Sequence, residues 1–128
     1  MRGLHYQTGD HAQAKLVRVL QGVVLDVAVD IRPNSKTYGE HFSVLLSAEK
    51  QNQFFIPRGF AHGFAVLSES AVFAYKVDNT YAPEYDSGIR YDDTELNIDW
   101  GFSDEEVQLS EKDKNLVNFI DLDSPFNY

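Results

Sequence analysis

Lys15-Leu16-Val17-Arg18-Val19-Leu20-Gln21-Gly22-Val23-Val24-Leu25-Asp26-Val27-Ala28-Val29-Asp30-Ile31-Arg32 is the stretch that decides the fold. Its side chains alternate with a period of two, the signature of strands rather than helix. Lys15, Val17 and Val19 share one side, against Leu16, Arg18 and Leu20. Gln21-Gly22 reads as a tight turn. Beyond it Val23, Leu25, Val27, Val29 and Ile31 form an apolar face, while Asp26, Asp30 and Arg32 share the other with Val24 and Ala28. Arg32-Pro33-Asn34-Ser35 is a turn cluster. The pattern then spreads outward. Tyr38, Phe42, Val44 and Leu46 line up on one side of the next run, and two strands are predicted at Gln53–Ile56 and residues 64–67, joined by Pro57-Arg58-Gly59. A further strand over 71–81 places Ala71, Phe73, Tyr75 and Val77 on one face, and Arg2-Gly3-Leu4-His5-Tyr6-Gln7 reads like the middle of another. Short strands separated by Gly, Pro and Asn turns predict an antiparallel barrel or sandwich.

The tail is different in kind. Ser103-Asp104-Glu105-Glu106 has the spacing of a capping box, and Ser110-Glu111-Lys112-Asp113 repeats it with Asp in fourth place. One or two short helical segments over about residues 101–128 are therefore expected to pack on a barrel of about residues 1–100. A length of 128 residues predicts one domain. Nine Phe, seven Tyr and one Trp raise the aromatic share to 13%, which suits strands and concave ligand sites.

Charge and composition exclude several functions. Eleven Lys and Arg against 20 Asp and Glu leave −9, unfavourable for nucleic acid or an anionic membrane surface. Without cysteine there is no disulfide, Cys-zinc site or thiol nucleophile. No apolar run approaches the ~18 residues of a membrane helix, and no signal-peptide core opens the chain. A soluble cytoplasmic protein is the expectation.

Among the histidines His5, His11, His41 and His62, the last ends Pro57-Arg58-Gly59-Phe60-Ala61-His62. This P-x-G-x-x-H stretch resembles the second motif of cupins, small β-barrels that often hold a metal. Metal-binding cupins also carry an earlier H-x-H pair with a downstream Glu, whereas Leu4-His5-Tyr6 offers a single imidazole. A three-ligand metal site lacks its partners, and no metal is expected. Asp26, Asp30, Asp92 and Asp93 read as solvated surface or turn capping.

A larger ordered set of blocks goes beyond that motif. Arg2-Gly3-Leu4-His5-Tyr6-Gln7, Gln13-Ala14-Lys15-Leu16-Val17, the run over 22–32 and the one over 56–64 follow in order; then come Tyr75-Lys76, Tyr81-Ala82-Pro83-Glu84, Gly88-Ile89-Arg90-Tyr91-Asp92-Asp93, Ile98-Asp99-Trp100 and Leu109-Ser110-Glu111-Lys112-Asp113. Over about residues 2–113 this closely resembles the dTDP-4-dehydrorhamnose 3,5-epimerases, metal-free cupins with a jelly-roll (double-stranded β-helix) barrel. The resemblance implies a homodimer without cofactor, acting on dTDP-4-keto-6-deoxy-D-glucose and inverting C3 and C5. Family members carry further strands before the Arg-Gly-Leu-His block, so the chain reads as short at its start, with thymidine recognition impaired or differently arranged.

The resemblance also assigns roles. His5 matches the base and Asp113 the carboxylate that orients it; Tyr75 matches the acid on the far face and Lys15 the cation beside the enolate oxygen. His62 corresponds to a second imidazole near the sugar, Arg2 to a diphosphate contact, Tyr81 to an aromatic wall and Lys112 to a further phosphate contact. Lys76 and Arg90 read as structural. From the residues alone, His5 is a surface histidine, Asp113 a helix-capping carboxylate, Tyr75 a core tyrosine and Lys15 a snorkelling strand-end lysine. A nucleotide-sugar-binding barrel without catalysis, a C5-only epimerase and a metal-dependent cupin stay open as alternatives.

Overall fold

The computed structural model describes residues 1–128, apart from the side chain of Asp104. Its strands are β1 (Arg2–Gln7), β2 (Lys15–Gln21), β3 (Val23–Asp30), β4 (His41–Ser47), β5 (Gln53–Ile56), β6 (Phe60–Val66), β7 (Val72–Val77) and β8 (Asp86–Ile89). They form two antiparallel sheets, one in the order β4-β3-β6-β1-β8 and one in the order β5-β2-β7. The chain passes from the smaller sheet to the larger at Gly22, between β2 and β3.

The period-two pattern translates directly into layers. Val17 and Val19 of β2 meet Val24 and Ala28 of β3, Leu46 and Ile56 between the two sheets. The other face of the large sheet carries Leu4, Val27, Val29, Ile31, Ala61 and Ile89, and is covered by Leu96, Trp100 and Phe126 from the C-terminal segment. Strand β3 is thus buried on both sides, with Asp26 and Asp30 as the polar exceptions on its inner face. Trp100 Nε1–H donates to the Tyr91 carbonyl at 2.9 Å, satisfying the one polar atom of the indole.

The C-terminal segment is mostly irregular. It contains 3₁₀ turns at Asp104–Glu106 and Phe119–Asp121, and a single α-helical turn, α1 (Glu111–Lys114). The two capping signals are both used: the Ser103 N–H donates to Glu106 Oε2, and Ser110 Oγ accepts the Asp113 N–H. Val117 makes a parallel bridge to Ile89, which ties the segment to β8.

Three expectations are corrected. Strand β6 starts at Phe60 rather than residue 64, because β3 pairs with it all the way from Asp30↔Phe60 to Val24↔Val66. Strand β7 stops at Val77 rather than 81; Asp78 and Asn79 turn away to bond the backbone of Ala14, Asp10 and Ala12. Tyr38 lies in the turn before β4 rather than on a strand. Of the two readings of the aspartates, turn capping holds for Asp30 and Asp93, which accept the Arg32 N–H and the Glu95 and Leu96 N–H groups. A solvated surface does not hold for three of the four. Asp26 and Asp30 are fully buried and Asp93 is buried, leaving Asp92, paired with Arg90, at the surface. Asp30 accepts bonds from Arg32 Nη2, Ser35 Oγ and Thr37 Oγ1 at 2.6–2.7 Å, and Asp93 accepts from the backbone of Glu95, Leu96 and Phe119.

Candidate active site

The site begins with an irregularity in β1. Arg2 faces Phe64 of β6 and His5 faces His62, so the register slips by one residue between them. Residues three apart on a regular strand point to opposite faces; with the bulge in between, Arg2 and His5 both line one cavity of about 330 Å³. The strands either side approach closely enough to require glycine. A Cβ on Gly63 would lie 2.9 Å from the Arg2 carbonyl oxygen, and one on Gly88 2.5 Å from that of Leu4.

Asp113 joins the bulge from outside. Its Oδ2 accepts the Gly3 N–H at 2.9 Å and its Oδ1 accepts His5 Nε2–H at 2.5 Å. A carboxylate only accepts, so Nε2 carries a proton, and Nδ1 is the ring nitrogen that Asp113 leaves free. Both partners are buried, His5 at 3% and Asp113 at 5% exposure. Nδ1 makes no hydrogen bond among the described residues. It lies 3.3 Å from Asp86 Oδ2, within ion-pair reach but off hydrogen-bond alignment. Burial works to raise the Asp86 carboxyl; the facing His5 ring and Lys112 outweigh it and hold the group below the usual carboxylate range.

A second imidazole stands beside the first. His62 Nε2 lies 2.9 Å from both carboxylate oxygens of the fully buried Asp26. Burial lowers the His62 ring well below its ordinary value against the pull of Asp26, with Lys15 and Arg2 adding to the effect. The same burial raises the Asp26 carboxyl, opposed by His62 and Lys15. His62 is accordingly neutral near pH 7, donating Nε2–H to Asp26.

Lys15, from the first residue of β2, lines the cavity too. Burial and the nearby Arg2 cation lower its ammonium, and Asp86 and Asp26 partly restore it. The opposite wall comes from β7, where Phe73, Tyr75 and Val77 follow the inward parity of the strand. Phe73 stacks on Phe64 with ring centroids 4.7 Å apart, and the exposed Tyr75 ring lies 5.9 Å beyond it. Tyr81 stands on the rim, largely exposed. Its loop is stitched down by Gln7, whose side chain donates to the carbonyls of His11 and Thr80 and accepts the Ala82 N–H.

Of the residues singled out from sequence, the cavity therefore collects Arg2, His5, Lys15, His62, Tyr75 and Tyr81. Asp113 sits directly behind His5 rather than in the lining. Lys112 does not line it; its ammonium pairs with Asp86 at the outer edge. Lys76 lies away from the cavity, and Arg90 forms a surface pair with Asp92. Two carboxylates were missed. Asp26 had a legible signal, since it shares its strand face with Val24 and Ala28 and an aspartate on an apolar face needs a buried partner. Asp86 had none, because the strand that carries it was not recognised. Among the described residues no group of three or more His, Cys, Asp or Glu side chains is arranged to hold a metal ion.

Two antiparallel sheets closed round a small-molecule-sized pocket define a cupin-like jelly roll, with two carboxylate-held imidazoles, a lysine and a tyrosine at its cavity. The sequence model of the dTDP-4-dehydrorhamnose 3,5-epimerase family matches residues 1–121. The chain belongs to that family. The Escherichia coli K12 dTDP-4-dehydrorhamnose 3,5-epimerase is 52% identical over 122 residues, covering 95% of this chain and 65% of the relative. The solved structure of the Elizabethkingia anophelis epimerase superposes with a TM-score of 0.91 at 55% identity, covering 94% of this chain and 66% of that one. That of the Legionella pneumophila dTDP-6-deoxy-D-glucose-3,5-epimerase, in complex with dTDP-4-keto-L-rhamnose, also gives 0.91, at 52% identity and covering 95% and 64%. The chain thus spans about two thirds of the length of these relatives.

Proposed function

We propose that this chain epimerises dTDP-4-dehydro-6-deoxy-D-glucose at C3 and C5 to give dTDP-4-dehydro-L-rhamnose. The observation that carries the reading is the His5–Asp113 couple at the cavity that Tyr75 and Lys15 also line. Hydrogens on carbons beside a ketone become removable when a base is in reach and the enolate oxygen is stabilised. His5 Nδ1 takes the proton from carbon, the C–H electron pair moves into the C4 enolate, and the Lys15 ammonium faces the charge on oxygen. Inversion then requires a proton from the other face. The Tyr75 hydroxyl supplies it; solvent then reprotonates the phenolate and takes up the proton that His5 removed. Asp113 holds the ring tautomer and supports the imidazolium.

In this reading His62 and Tyr81 bind the sugar, and Arg2 meets the diphosphate, for which a guanidinium has the right fork. Lys112, half-exposed at the edge beside Asp86, has a weaker claim to a phosphate contact. Residues 1–128 act as one unit, since the barrel supplies His5 and the C-terminal segment supplies Asp113. Among the described residues no helix is long and apolar enough to cross a membrane, and a cytoplasmic enzyme is part of the same proposal. So is a homodimer. Leu16 and Phe55 pair across β2 and β5 with both side chains exposed, an apolar face that a second copy would cover.

The test is incubation with dTDP-4-keto-6-deoxyglucose in heavy water, with the same preparation sized by sedimentation. Deuterium is expected at C3 and C5, from a species of two chains. His5→Ala is expected to lose all exchange; Tyr75→Phe is expected to keep washout and lose inversion. Exchange at one carbon alone would make this a mono-epimerase. Binding without exchange at either carbon would leave a nucleotide-sugar-binding barrel and end the enzymatic reading.

A further inference from the structure

The nitrogen of His5 that Asp113 does not hold faces a second carboxylate. We infer that Asp86 is a positioning residue for the His5 base, and that Lys112 sets how strongly it acts; the inference rests on the reading of His5 as the base. Three observations support it. His5 Nδ1 is buried, has no hydrogen bond among the described residues and lies 3.3 Å from Asp86 Oδ2. The Asp86 side chain is itself only 3% exposed, although β8 is the last strand of its sheet. Among the described residues its cation partner at that end is Lys112, reaching in from α1 one residue before Asp113.

The physical consequence follows from the tautomer. In the neutral ring the Nδ1 lone pair lies close to an anionic oxygen, 3.3 Å away and off hydrogen-bond alignment, which is unfavourable. Once Nδ1 has taken a proton, the new N–H has an acceptor within a small rotation of the ring. Asp86 therefore favours the protonated ring and strengthens the base. That bond, once formed, would hold the protonated ring at its Nδ1 edge while Asp113 holds it at Nε2. Lys112 works against the first effect by neutralising Asp86. The other charged or titratable groups lining the same cavity are His62 on β6, Lys15 on β2, Tyr75 on β7, Tyr81 on the rim, and Arg2 and Tyr6 on its own strand. None of them changes in the variants below.

The test compares the pH profile of deuterium exchange in the parent chain, Asp86→Asn and Lys112→Met. Removing the Asp86 charge is expected to lower kcat about tenfold with little change in KM. It is also expected to move the acid limb of kcat/KM to lower pH, by about one unit, because the protonated ring has lost its acceptor. Lys112→Met is expected to move the same limb the other way. Opposite displacements are the signature, since a residue that merely supports the fold would lower the rate without moving the limb. An unmoved limb in Asp86→Asn, or displacement of both variants in one direction, overturns the inference. A rise in KM alone for Lys112→Met would give that lysine to the substrate and remove it from the device. Should Asp86→Asn fail to fold, the direction of the Lys112→Met limb decides. Should the parent show no exchange at all, the functional reading fails separately. The His5 ring resonance, followed against pH in the ligand-free parent and variants, then still decides whether Asp86 and Lys112 act on it in opposite directions.

Discussion

Burial sets the chemistry of His62 more than its partner does. The folded protein keeps the ring neutral, whereas the unfolded chain takes up a proton below the ordinary value of 6.5. The stability contributed by the neutral ring is therefore complete above pH 6.5 and is lost as pH falls toward the lowered folded value. Asp26 has the opposite sign. Its carboxyl is raised above 3.8, so from that pH up to its folded value the native state holds more protons than the unfolded chain, and acidification there stabilises. The two tendencies oppose each other in one buried pair. His62→Gln removes the first and leaves the second. Thermal unfolding followed by Trp100 fluorescence is expected to show the parent losing stability as pH falls below 6.5, by no more than about 4 °C per pH unit. The variant is expected to be flat or to gain over the same range. Parallel slopes in the two proteins would mean that His62 is not the group responsible.

At the scale of elements, β1 and β8 depend on how closely their backbones approach. The Gly88→Ala methyl would stand 2.5 Å from the Leu4 carbonyl oxygen, a backbone atom with no freedom to yield. Separating the strands is the available relief, and it would carry Asp86 away from His5. The expected cost is about 2–3 kcal/mol, read as a lower denaturant midpoint at unchanged slope, with exchange activity reduced as well. A variant as stable as the parent would show that β8 is not held in this register. These same elements mark what the sequence could and could not disclose. Strands β2 and β3 were readable because Val17, Val19, Val27 and Val29 alternate with polar or second-face residues over many positions. Strand β8 was not, since Asp-Ser-Gly-Ile has weak strand propensity and owes its conformation to the β1 edge beside it. The bulge in β1 was invisible for a similar reason: it exists in the pairing with β6, not in residue order. His5, Lys15, Tyr75 and Asp113 could be named only through the likeness of whole motif blocks. Their convergence is a property of the closed barrel and its covering segment, which no local spacing encodes.

The molecule as a whole is three layers, and the third one reaches the chemistry. In a chain of net charge −9 the cavity gathers the cations Arg2 and Lys15 beside the one lining carboxylate described for it, Asp86. The carboxylate behind His5, however, comes from the C-terminal segment, whose own regular structure is a single helical turn and two 3₁₀ turns. Such short pieces cannot hold their conformation by helix propagation. They are held by the apolar layer that Leu96, Trp100 and Phe126 form on the large sheet. Trp100 is the largest contributor, and its N–H also occupies the Tyr91 carbonyl. Trp100→Ala is expected to cost about 3–5 kcal/mol. The loss should fall on the segment before the barrel, because the core between the sheets contains none of these three side chains. Limited proteolysis is therefore expected to cut the variant first within residues 101–128, at a temperature where circular dichroism still reports an intact β-sheet signal. Exchange activity is expected to fall further than the folded fraction does, since the His5–Asp113 contact is set by that layer. Trp100→Phe retains most of the ring and gives up the hydrogen bond, so its expected cost is about 1 kcal/mol with most activity kept. If Trp100→Ala exchanges deuterium at the parent rate while its segment is being cleaved, Asp113 is not needed behind His5, and the tie between the covering layer and the site is broken.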